Sequence, residues 1–166
     1  MTLPEQAILI RQPWVDRILE PNECFRKTWE IRSFATQKRG KFAVAVVGEK
    51  HILGEVELTD CFQVAEKVDG CWCPVSDEAP FLFDPDNAIK CGFDMETMPD
   101  YFASKSKLFA WVLRNARRYD QPIKWSKKDG AVFFANVESD KSKKDKKTDK
   151  KHKKDKTKSV KKNEKP

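Results

Sequence analysis

Histidine is scarce in this chain. There are two among 166 residues, and only His51 lies outside the lysine-rich end. A zinc site built on imidazole is therefore short of ligands. Cys71-Trp72-Cys73 puts one residue between two thiols, whereas structural zinc sites favour two to four. No metal set and no cofactor is expected. The five cysteines (Cys24, Cys61, Cys71, Cys73 and Cys91) are an odd number. They read as free, mostly buried thiols in a reducing compartment. Long apolar runs are missing too, so nothing is suited to span a bilayer. The start of the chain has no basic segment leading into an apolar run and a small-residue cleavage site. The expectation is an intracellular monomer, nuclear or cytoplasmic, with no membrane partner. No internal repeat is visible.

The charge that is present is unevenly placed. The net charge is +7, with a sequence pI of about 9.1 and a mean hydropathy of −0.71. Residues 140–166 hold fourteen of the 33 basic residues and five of the 26 acidic ones, a net of +9. The rest holds nineteen basic and twenty-one acidic residues, a net of −2. The basic pI is thus a property of the end of the chain. Residues 139–166 bury too little apolar surface to fold and are expected to be a disordered lysine-rich tail. That tail is either a solubiliser or a non-specific attractor of RNA or DNA, with nuclear import as a further use. Residues 1–138 form one near-neutral domain, in which any basic groove must come from local placement.

That domain is organised around Lys27-Thr28-Trp29-Glu30-Ile31-Arg32. Alternation puts Thr28, Glu30 and Arg32 on one face of a strand and Lys27, Trp29 and Ile31 on the other. An ordinary surface strand has this pattern as well. The segment upstream favours a site. Ala7-Ile8-Leu9-Ile10 is a short buried strand that ends in Arg11-Gln12, and Pro13 then opens a short helix through residue 19. Arg11, Gln12, Lys27, Glu30 and Arg32 would meet at one mouth. Three cations, an amide and a carboxylate suit a planar polar ligand with a phosphate nearby, a nucleotide or a base. Because of the alternation, not all of them can face one cavity unless the strand is bulged or at an edge. Trp29 is expected in the core.

Further along, residues 41–47 are apolar enough for a central strand. Residues 52–62 alternate, with Val56 and Leu58 inward. Residues 63–107 contain four prolines and read as irregular, either a lid over the site anchored by Phe81-Leu82-Phe83 or an insertion with a small core of its own. Residues 108–113 are a strand. Arg114, Arg117, Arg118 and Tyr119 follow, suited to phosphates and base stacking or merely to a solvated strand end. Residues 127–130 read as a turn and 131–137 as the last strand. Five or six strands with one or two helices make an α+β domain, a small barrel or curled sheet.

These segments resemble the ASCH domain, the activating signal cointegrator homology domain. The resemblance is carried by 8–14 (Ile-Leu-Ile-Arg-Gln-Pro-Trp), 27–32, Arg39-Gly40-Lys41, 54–61, 109–113, Pro122-Ile123 and the Gly130 turn. It implies a PUA-like β-barrel whose cleft beside the first helix holds RNA or a nucleobase. In that pattern a glycine stands two residues before the lysine; here it is Phe25, in a longer approach to Lys27. Some small bacterial relatives are acetylcytidine hydrolases with a Lys-Thr-x-Thr-x-Arg pattern. Lys27 matches their catalytic lysine, but Glu30 replaces the nucleophilic threonine, and a carboxylate cannot serve as that hydroxyl. Other relatives have been proposed to cut RNA.

Three functions follow. The first is an RNA- or nucleotide-binding module, tied to transcription coactivation or RNA metabolism. Its ligand would be held by Arg11, Gln12, Trp14, Lys27, Thr28, Glu30, Arg32 and Arg114. The second is an enzyme acting on modified nucleosides or RNA, with Lys27 and Glu30 as an acid/base pair. The third is a protein-interaction domain.

Overall fold

The computed structural model describes residues 2–125 and 133–137. The expected turn at 127–130 and the tail at 139–166 lie outside the described residues.

Strand β1 (Gln6–Ile10) is buried from Ala7 onward. It runs parallel to β3 (Gly40–Val46), pairing Ala7 with Ala43 and Ile10 with Val46. The two-residue period of a strand explains why both are apolar without a break. Ile8, Ile10, Phe42, Val44 and Val46 point into one core with α1 (Trp14–Ile18) and Leu19. Ala7, Leu9, Ala43 and Ala45 point into another, with Ile52, Tyr119 and Trp125. The helix is shorter than the sequence suggested: five residues, with Pro13 as its cap.

The long elements are β4 (His51–Val68) and β6 (Lys107–Lys124), eighteen residues each and antiparallel. Their register shifts in four places. Each shift adds local twist and bends the pair. Both run past the expected ends. Arg114 to Asp120, read as a phosphate cluster or a solvated strand end, continue the strand, mostly exposed but with Tyr119 buried. Asn115 takes a positive φ of 51° at one irregularity and donates to Glu57 at 2.7 Å.

The full order is β2-β6-β4-β3-β1-β7, with β2 at Trp29–Arg32, β7 at Phe134–Asn136, and β5 (Cys71–Cys73) added to β4. Among the described residues the expected barrel is a curled sheet that does not close: β2 and β7 end it and share no ladder. Side chains bridge the seam instead. Arg32 at the end of β2 donates to the Leu9 carbonyl at 2.8 Å, and Phe34 packs on Phe133 at 4.5 Å.

Residues 63–107 are more regular than expected. They complete β4, form β5 and α2 (Ala88–Cys91), and add single 3₁₀ turns at Pro85–Asn87 and Asp100–Phe102. Leu82, Cys91, Phe93 and Phe102 share one core with Trp29 and Ile31 of β2 and with Leu108, Ala110 and Val112 of β6. The segment thus packs on the body rather than around a core of its own. Leu82, within the expected anchor, is fully buried. The thiols are less buried than expected: only Cys91 is, while Cys24 and Cys71 are exposed.

Candidate functional site

A recess of about 420 Å³ opens at the seam. Glu30 and Arg32 come from β2, Arg11 and Trp14 from the turn into α1, Tyr101 and Lys105 from the 63–107 segment, and Phe34 and Phe133 from the loops beside the seam.

Arg32 is the centre of this recess. Its guanidinium carbon lies 5.5 Å from the Trp111 ring centroid and 5.4 Å from that of Phe133, within cation–π range of both. Nη2 is 3.0 Å from Glu30 Oε1 and also donates to Leu9. Nη1 has no acceptor among the described residues. Nε is the single buried side-chain nitrogen or oxygen there without a hydrogen-bond partner. A buried guanidinium N–H left unmet is costly in a merely structural residue.

Glu30 is buried between two cations, Arg32 on one side and Lys27 at 3.7 Å on the other. The position of Lys27 corrects the expectation from sequence. The residue is 2% exposed and does not line the recess. Its ammonium donates to the Trp29 carbonyl and, at 2.6 Å, to the Cys91 carbonyl, so it ties β2 to α2 from beneath. Burial lowers its pKa, against the charge of Glu30, which raises it. Two of its three protons go to backbone carbonyls and the third side of the ammonium faces Glu30, so Lys27 makes no direct contact with anything in the recess.

The strict alternation assumed for 27–32 starts only at Trp29. Before it the backbone is bonded elsewhere: the Lys27 amide to Arg17, the Thr28 amide to Lys90, and the Thr28 carbonyl to the Leu113 amide. Lys27 therefore curls under the strand and reaches Glu30 despite its place in the sequence. Thr28 is carried to a separate hollow with Trp29, Lys90 and Arg114. Gln12 is exposed and outside the recess. Of the eight residues expected to hold the ligand, Arg11, Trp14, Glu30 and Arg32 line the recess; Gln12, Lys27, Thr28 and Arg114 do not. Trp29 is in the core, as expected.

Phe34, Tyr101, Lys105 and Phe133 went unnoticed in the sequence. Three of them sit in irregular segments, where no periodicity marks an inward side chain. Tyr101 carries an electrostatic imprint of the site. Its pKa is raised, first by burial and with the Glu30 charge in the same direction, against the nearby Trp14 indole and the charges of Arg32 and Arg11. Arg11 lies over the Tyr101 ring at 5.5 Å.

The remaining arginines of β6 do not form the phosphate cluster considered above. Arg117 pairs with Glu55 at 2.9 Å, Arg118 pairs with Asp16 at 2.6 Å, and the buried Tyr119 donates to Glu55 at 2.8 Å. Burial pushes the Glu55 pKa up, but the bonds from Tyr119 and Arg117 outweigh it and the net shift is downward. A carboxylate with a depressed folded pKa stabilises the fold fully above its unfolded value of about 4.3 and loses that contribution as pH falls through the folded value. Glu55→Gln should therefore unfold with a flatter acid limb than the parent below pH ~4.3. Thermal melts across that range check this; parallel curves would remove Glu55 from the acid response.

No helix among the described residues is long and apolar enough to cross a membrane. No protein-family model matches the chain, and no curated protein sequence matches it. Solved structures do. The ASCH protein of Zymomonas mobilis superposes with a TM-score of 0.56 at 15% identity, over 84% of this chain and 91% of that one. A tyrosine-to-phenylalanine mutant of the same protein gives 0.57 at 15% identity, over 84% and 94%. A serine-to-alanine mutant gives 0.56 at 15%, over 86% and 96%. What these proteins share with the chain is the fold.

Proposed function

We propose that this chain, whose fold is that of the ASCH domain, is an RNA- or nucleotide-binding module that seats one base in the seam recess. The observation that carries this is the Arg32 fork, packed near two rings with its buried Nε unmet, beside the Glu30 carboxylate. A cationic donor next to an anionic acceptor matches a base edge that offers a carbonyl or ring nitrogen beside an N–H. Trp14, Phe34, Tyr101 and Phe133 supply apolar and stacking walls. Arg11 and Lys105, both exposed, are the cations for a phosphate at the rim. The lysines of 140–166 add sequence-independent attraction to RNA or DNA backbones.

The binding reading is favoured over the enzyme reading because Lys27 faces carbonyls and would act on a ligand only through Glu30. The binding reading is tested at the rim. On a labelled single-stranded RNA, each phosphate contact removed should reduce the log–log salt slope by about 0.7. Arg11→Ala combined with Lys105→Ala in the full chain should therefore flatten it by about 1.4. An unchanged slope would place the phosphates elsewhere.

A further inference from the structure

A second hollow, about 670 Å³, lies on the other side of Trp14, which lines both it and the recess. Trp14 is a fixed partition. Gly92 approaches so closely that an added Cβ would stand 3.1 Å from the indole, and Phe93 meets it edge-on at 5.9 Å. Across the hollow stands Phe25, 68% exposed, with Ile89 at 56% beside it in the lining. Phe25 is not a loose side chain on a loose loop. It ends the 3₁₀ turn Glu23–Phe25, which Asn22 caps through the Cys24 amide at 3.1 Å. The next residue, Arg26, is anchored to the Glu20 carbonyl at 2.7 Å and to the Pro21 carbonyl at 3.2 Å. A pinned backbone thus holds an aromatic ring out in water, at the position where the resembled pattern has glycine.

We propose that this hollow is the subsite for the neighbouring nucleotide of the strand, whose base stacks on Phe25 while the first base occupies the recess. The inference rests on the recess being a base site. Three features favour a nucleobase over a protein segment. The hollow adjoins the recess across one shared indole wall. Its walls are rings (Trp14, Phe25, Phe93), the surface that single-stranded nucleic acids use without sequence preference. Its charge is suited to a phosphodiester. Arg17, which lies over Trp14 at 5.7 Å and donates to the Gly92 carbonyl, lines it. The one acid in the lining, Asp94, is turned to the hydroxyl and amide of Thr97 at 2.7 and 2.8 Å. The minimal ligand is then a dinucleotide.

The test titrates the full chain, at one salt concentration, with the four ribonucleoside 5′-monophosphates and then with dinucleoside monophosphates containing the tightest of them. The dinucleotide should bind about tenfold more tightly than the mononucleotide, the effect of one stacked base. Phe25→Leu should abolish that gain and Phe25→Tyr preserve it, with mononucleotide binding unchanged in both. A dinucleotide that binds no better, or a leucine that serves as well as phenylalanine, would overturn the Phe25 subsite while mononucleotide binding upholds the recess. The second of these outcomes would point to a protein segment as the occupant. Failure of mononucleotides and dinucleotides alike would reject the recess and the subsite together.

Discussion

Lys27→Ala should lower the stability of the folded chain by about 3–5 kcal/mol, the cost of removing one partner from a buried charge pair. Three losses combine. The Trp29 and Cys91 carbonyls lose their donor, Glu30 loses one of its two cations, and the buried stem leaves a cavity. At roughly 2–4 °C per kcal/mol for a chain of this size, the thermal midpoint should fall by about 6–20 °C. Calorimetry or circular dichroism reads this directly. A midpoint within about 2 °C of the parent, less than one kcal/mol, would mean that Lys27 does not hold β2 to α2. Its role as a base or a phosphate contact would then be open again. The same result governs how binding data are read: weak RNA binding by a Lys27 variant reports a damaged fold, not a lost contact.

The largest effect on binding belongs to Arg32→Lys. The substitution keeps a positive charge beside Glu30 and removes the planar fork, including the unmet Nε. If a ligand takes hydrogen bonds from that fork, the loss is that of a charged hydrogen bond, about 1.5–3 kcal/mol, or ten- to more than a hundredfold in Kd. The fold should suffer less than in Lys27→Ala, because the lysine can still pair with Glu30. Full affinity in Arg32→Lys would show that only the charge matters. The recess would then be a general cation patch rather than a base site.

Much of the frame was legible in the sequence. The apolar runs 7–10 and 41–47 are strands because both of their faces are buried. Val56 and Leu58 alternate because their strand has one wet face. The length of β6 was only partly legible, since Arg117 and Arg118 suit a phosphate cluster as well as a strand end until Glu55 and Asp16 are found opposite them. At the site, Glu30 and Arg32 were found through alternation, and Arg11 and Trp14 through the proline that turns the chain. Lys27 was misplaced because alternation was extended two residues beyond the strand. Tyr101 and Lys105 escaped because a segment held by prolines and single turns has no period to read. Their contribution exists only once Leu82 and Phe102 dock that segment onto Trp29 and Ile31.

The most direct measurement is a nitrogen-15 NMR titration of the full chain with a ribonucleoside 5′-monophosphate, following the side-chain Nε–Hε signal of Arg32 and the indole N–H of Trp14. Both signals should move together and saturate at the same ligand concentration, because one base fills the space between them. Saturable binding that shifts the tail lysine amides and leaves both of these signals in place would contradict a base site at the seam.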